Sequence, residues 1–211
     1  MNILETKKTS QEISQLLSAS LPKSVSYQEY RATVSALVAN GLSTGTVQND
    51  ALANYTLLND KRMKRLDKTL KFSEDIVERI TKVSKKITWL VLTESWCGDA
   101  AQTMPVMNKL ASLNPNIEFK VILRDENLAL MNQFLTNGTL SIPKLLMIDD
   151  ATNTVFSEWG PRPSKATQLV AEYKNTHGTL TPEFKQDLQI WYTKDKGVNT
   201  AEDLLAGFLL E

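Results

Sequence analysis

An α/β fold with a central mixed sheet flanked by helices, an α-helical N-terminal extension and C-terminal helices is predicted by three observations. The hydrophobic period changes near residue 73 from a continuous helical spacing to alternating helix and strand patterns. From residue 87 onward the patterns run strand, helix, strand, helix, strand, strand, helix, and right-handed crossovers leave few ways to wrap such a string. Helical spacing then resumes over residues 181–211, through Phe184, Leu188 and Trp191 and later Leu204, Leu205 and Phe208.

Residues 1–72 read as two or three helices. Ile13, Leu16 and Leu17, then Tyr30, Val34, Leu37 and Val38, then Leu52, Tyr55, Met63, Leu66 and Leu70 recur at helical spacing. Breaks fall at residues 21–24, with Pro22, and 40–46, with Gly41 and Gly45. Ser73 is suited to cap a helix carrying Ile76, Val77, Ile80 and Val83 on one side. The run Ile87–Thr93 is apolar and β-branched enough to be a buried central strand, and a helix follows from about Cys97 to Leu113. Asn114-Pro115-Asn116 is a turn and Ile117–Leu123 a second strand. A helix is expected over residues 126–137, stopped by Asn137-Gly138. Strands Lys144–Asp149 and Thr154–Trp159 are close enough in sequence to pair as a hairpin, and a helix over 164–176 closes the unit.

Of the 211 residues, 42% are hydrophobic and 23% charged, a composition that supports a folded core. Lys and Arg number 24, as do Asp and Glu, so no global field favours nucleic acid or an anionic membrane, and neither is expected as a partner. The densest basic run contains Lys61, Arg62, Lys64, Arg65, Lys68 and Lys71; positions 61, 64, 65 and 68 share a helical face expected to be solvated. The longest apolar stretch, near Trp89–Leu92, is far short of the roughly 18–20 residues that span a bilayer. Met1 to Lys8 is polar and lacks the apolar core of a secretory signal. The single cysteine forms no internal disulfide, so a reducing cytoplasm is the expected compartment.

Trp96-Cys97-Gly98-Asp99-Ala100 follows the buried strand and opens a helix, Pro105 lies five residues past Ala100, and Ile142-Pro143 leads into the third strand. These residues resemble the thioredoxin family, in which a Trp-Cys-Gly-Pro-Cys motif, a helix-kinking proline and a cis-proline stand in that order. Trp159-Gly160 falls where the family places a glycine in a loop facing the active site. Gly160-Pro161-Arg162-Pro163, with Arg124-Asp125-Glu126-Asn127, resembles a bacterial branch with helical N-terminal extensions. The resemblance covers about half the sequence and implies a thioredoxin fold over residues 73–178, preceded by the extension (1–72) and followed by a C-terminal helical segment (179–211). The sequence departs from the family at three positions. Ala100 replaces the resolving cysteine, Asp99 the usual proline and Val91 the buried carboxylate, so intramolecular dithiol exchange is excluded.

The resemblance makes Cys97 the expected catalytic residue, with Trp96, Gly98, Asp99, Ile142, Pro143, Gly160 and Arg162 as substrate-binding residues. A thiol at the first turn of a helix meets unpaired N–H groups and the positive end of the dipole, which stabilise thiolate. Asp99 opposes this by repulsion, and Arg162 or Lys144 offsets it if folding brings either close. Without a resolving cysteine, exchange stops at a mixed disulfide until an external thiol releases it. The leading expectation is monothiol thiol–disulfide exchange with a protein or low-molecular-weight thiol or disulfide; the alternative is a non-catalytic thioredoxin-fold module that docks a protein. A peroxide-sensing Cys97 is a third possibility. A homodimer through the C-terminal helices is also compatible with the sequence. No cofactor is expected, and no metal, since no cluster of Cys and His stands at ligand spacing. His177, the only histidine, is expected to end the closing helix. Asp149-Asp150 and Arg124-Asp125-Glu126 read as strand-end and helix-start charges.

Overall fold

A computed structural model describes residues 8–208. The readings at 1–7 and 209–211 lie outside the described residues. The N-terminal extension forms three helices, α1 (Ser10–Ser20), α2 (Tyr27–Ala39) and α3 (Asp50–Thr69). Each starts where a side chain takes over an orphan backbone donor. Thr9 with Glu12 and Ser26 with Glu29 form reciprocal capping boxes, and Asn49 accepts from the Leu52 N–H. The break at Pro22 is a 3-10 turn over Leu21–Lys23. It leads into a two-residue strand, β1 (Val25–Ser26), which the helical reading of this region lacked.

Helix α4 (Glu74–Thr81), capped by Ser73, precedes β2 (Ile87–Thr93), every residue of which is buried. Helix α5 (Gly98–Ala111) contains Pro105 and leads to β3 (Ile117–Leu123). The hairpin of β4 (Lys144–Asp149) and β5 (Thr154–Trp159) follows, with a bulge between Met147 and Ile148. The sheet order is β1-β3-β2-β4-β5, with β2 parallel to β3 and the other neighbours antiparallel. This is the thioredoxin fold expected from the element string, widened by β1 at one edge.

The helix expected over residues 126–137 is corrected to a single turn, α6 (Leu128–Met131). Asn137 and Gly138 both take positive φ (50° and 73°), and Thr136 and Thr139 exchange backbone hydrogen bonds across them. A two-residue turn of this kind needs extended flanks, which ends the helix early. Leu130, Met131 and Phe134 still reach the core, which is why their spacing imitated a longer helix.

Helices α7 (Ser164–His177), α8 (Pro182–Asp195) and α9 (Val198–Ala206) complete the chain. Leu204 and Leu205 are buried, and the Phe208 ring stacks on Trp89 at 5.9 Å, so the last segment covers the sheet. Helices α7 and α8 share a small cluster of Ala166, Val170, Leu188 and Tyr192, which brings α8 over the beginning of α5.

Candidate functional site

Cys97 is the N-cap of α5. Its N–H donates to the Glu94 carbonyl at 3.1 Å, which turns the chain out of β2 into the helix. The sulfur accepts the Ala100 N–H at 3.5 Å, and the thiol donates to the Ile142 carbonyl oxygen at 3.3 Å. The Ile142–Pro143 bond is cis. Gly160 explains how two loops meet here. Its φ is 121°, and a Cβ at that position would lie 2.1 Å from the Pro143 carbonyl oxygen, so only glycine fits. The structure therefore gathers Trp96, Cys97, Gly98 and Asp99 from the start of α5, Ile142 and Pro143 from the loop before β4, and Gly160 and Arg162 from the loop after β5.

Asp99 is nearly buried, and Arg162 contacts it at 2.7 Å while the Tyr192 hydroxyl donates to it at 3.0 Å. Burial raises the Asp99 pKa; the arginine and the tyrosine pull the other way. Arg162 is thus committed to Asp99, and Lys144 pairs with Glu158 at 2.9 Å. Cys97 is 8% exposed. Its burial and the charge of Asp99 push the thiol pKa up to about 12, against the pull of the Ala100 and Asp99 N–H groups and of Arg162. Desolvation outweighs the helix terminus because so little water reaches the sulfur.

Cys97 and Asp99 face a cavity of about 600 Å³, walled by α3 through Arg62 and Tyr55 and by α8 with the residues just before it through Leu180, Pro182, Lys185 and Leu188. The thioredoxin family model matches residues 45–174, well over half of the chain. The chain belongs to the thioredoxin family. No curated protein matches the sequence. Among solved structures, it is similar to a protein of unknown function from Pseudomonas aeruginosa, with 21% identity over 87% of this chain and 97% of that one and a TM-score of 0.57. It is also similar to an HIV epitope-scaffold, with 19% identity, coverage of 87% and 98%, and a TM-score of 0.56. At these identities the likeness shows the fold.

Several residues around this thioredoxin-family site escaped the sequence reading. Arg62 stands beside Gly98, 3.5 Å from where a Cβ would be, and donates to Asn59 at 2.9 Å. It belonged to a basic run expected to be solvated, yet it falls off the 61-64-65-68 face and flanks the buried positions Asn59, Met63 and Leu66. Helical phase was the signal that separates it from its neighbours. The N-terminal extension is also hydrogen-bonded to Ser95, the residue just before the motif. Ser95 and Thr44 exchange bonds of 2.8–2.9 Å, Thr56 meets the Ser95 hydroxyl at 2.8 Å, and the Asn59 amide donates to the Ser95 carbonyl at 2.8 Å. Glu94 is fully buried; one carboxylate oxygen accepts the Asp125 N–H at 2.9 Å and the other has no hydrogen-bond partner among the described residues. Trp96 lies under the Arg124 guanidinium at 5.1 Å, which explains the place of Arg124-Asp125 in the sequence. His177 ends α7, its ring 4.2 Å from that of Tyr173. Among the described residues no group of three or more His, Cys, Asp or Glu side chains is placed to hold a metal ion, and no helix is long and apolar enough to cross a membrane.

Proposed function

We propose that this thioredoxin-family protein is a ligand-binding module that takes a small molecule into the Cys97 cavity, with Cys97 held as a neutral thiol at physiological pH. The observation that carries this reading is the cavity itself: α3 and α8 rise on two sides of the motif and narrow its approach to the scale of a small ligand. The raised thiol pKa supports the same reading, since a thiol is a poor nucleophile until it loses its proton.

Monothiol exchange is the second reading, and the placement of the sulfur favours it. The sulfur stands on the cavity wall, beside the Ile142–Pro143 loop and within reach of the Ala100 N–H. In that chemistry the Cys97 thiolate attacks one sulfur of a bound disulfide, the other sulfur leaves as a thiolate, and an external thiol later attacks the mixed disulfide to restore Cys97. Incubation with glutathione disulfide followed by intact mass separates the two. The binding reading expects the same ligand-induced rise in melting temperature in the native and Cys97→Ser proteins and little adduct at neutral pH. Rapid formation of a single mixed disulfide, released by added thiol, assigns exchange instead.

A further inference from the structure

The cavity carries three cations and one carboxylate: Arg62, Arg162 and Lys185 against Asp99. Arg162 is neutralised by Asp99, leaving its Nε without a hydrogen-bond partner among the described residues. The carboxylate nearest Arg62 along α3, Asp60, is taken by Arg31 at 3.0 Å and Lys64 at 2.6 Å. Arg62 itself is half-buried, makes one hydrogen bond, to a neutral amide, and has no carboxylate within ion-pair distance among the described residues. Burial and the charge of Arg65 press on its charged form and outweigh the through-space pull of Asp99 and Tyr55, so this guanidinium is held in a setting that an incoming anion would relieve. Lys185, which also lines the cavity, has no ion pair among the described residues either. The remaining lining mixes apolar side chains, Ile142, Leu180, Pro182 and Leu188, with the amides of Gln186 and Gln189.

Resting on the ligand-binding reading above, we infer that the cavity selects small molecules that carry a carboxylate, which docks on Arg62 beside Gly98 while an apolar part lies along Leu180, Pro182 and Leu188. The planar guanidinium fork matches a carboxylate with two parallel hydrogen bonds. The apolar side chains Leu180, Pro182 and Leu188 in the same lining favour an organic acid over inorganic phosphate.

Cys97 reports on the cavity directly. Iodoacetate and iodoacetamide are nearly the same size and differ by one carboxylate, and both alkylate the same thiolate. The ratio of their rates therefore cancels the protonation of Cys97 and reads only charge selection. The expected ratio for the native full-length protein is about tenfold above that of the unfolded chain at low salt. Arg62→Met, which keeps an apolar stem, should return the ratio to the unfolded value; Arg62→Lys should retain part of it. Arg65→Met, one position cluster away and bonded to Thr193, should leave it within about twofold. A native ratio at or below that of the unfolded chain, or one indifferent to Arg62→Met, overturns the inference while leaving the binding cavity in place. Equal protection of iodoacetate labelling by acetate and by inorganic phosphate overturns the carboxylate assignment. Should both reagents label only at the rate of global unfolding, independent of their concentration, the cavity does not admit ligands and the inference falls together with the binding reading.

Discussion

Deprotonation of Cys97 controls every chemical use of this site, and its effect on rate follows from the structure. An unperturbed thiol, with a pKa of about 8.5, is roughly 3% thiolate at pH 7. Held at about 12 by burial and by Asp99, Cys97 is thiolate in about one molecule in 10⁵, a reduction of roughly 3,000-fold. A more basic thiolate is a better nucleophile, and a Brønsted coefficient of about 0.4–0.5 over 3.5 units returns a factor of roughly 25–60. Net reactivity should therefore be about 50–120-fold below that of the same cysteine in the unfolded chain. The assay is the rate of reaction with hydroxyethyl disulfide, a small neutral reagent, followed by intact mass from pH 7 to 10. The rate should rise close to tenfold per pH unit across that range, because the folded midpoint lies above it. A plateau near pH 8, or labelling as fast as in the unfolded chain at pH 7, would refute the claim that desolvation dominates at Cys97.

Asp99→Asn removes the carboxylate beside the sulfur while keeping an acceptor for Tyr192, and it frees Arg162. The Cys97 midpoint should fall by about one unit, and with the lower nucleophilicity of the less basic thiolate this gives a roughly three- to fourfold faster reaction with hydroxyethyl disulfide at pH 8; an unchanged rate would remove Asp99 as a cause. Gly160→Ala drives a Cβ into the Pro143 carbonyl oxygen, and thermal denaturation should show a loss of about 2–4 kcal/mol; a native-like melting temperature would mean that the two loops do not meet as described. The folded Cys97 pKa lies above the unfolded one, so between about 8.5 and 12 the unfolded state sheds the proton first and stability falls as pH rises. The stability difference between the native protein and Cys97→Ala, from urea titrations at pH 8 and pH 10, should therefore shrink by about 2 kcal/mol; a constant difference would contradict the raised thiol pKa.

The sequence by itself determined the sheet and the place of the motif. Period and turn chemistry are local properties, so β2 to β5, the Ser73 cap and Cys97 at the start of α5 were all readable from residue order. Where two local rules competed the reading failed. The apolar spacing of Leu130, Met131 and Phe134 promised a long helix, whereas the Asn137-Gly138 turn folded its flanks into extended backbone. The two-residue β1 was too short to show a period, and its partner β3 lies about a hundred residues away. The chemistry of the cysteine was decided by tertiary structure alone. Helix position favours thiolate and is visible in sequence, but the burial that outweighs it comes from α8, whose Tyr192 reaches Asp99 across 93 positions, and from the loops around Pro143 and Gly160. Arg62 turned from one charge among six into a cavity wall for the same reason. Which acids neutralise a cation depends on distances in space, and Asp60 and Asp99 are both taken by other partners.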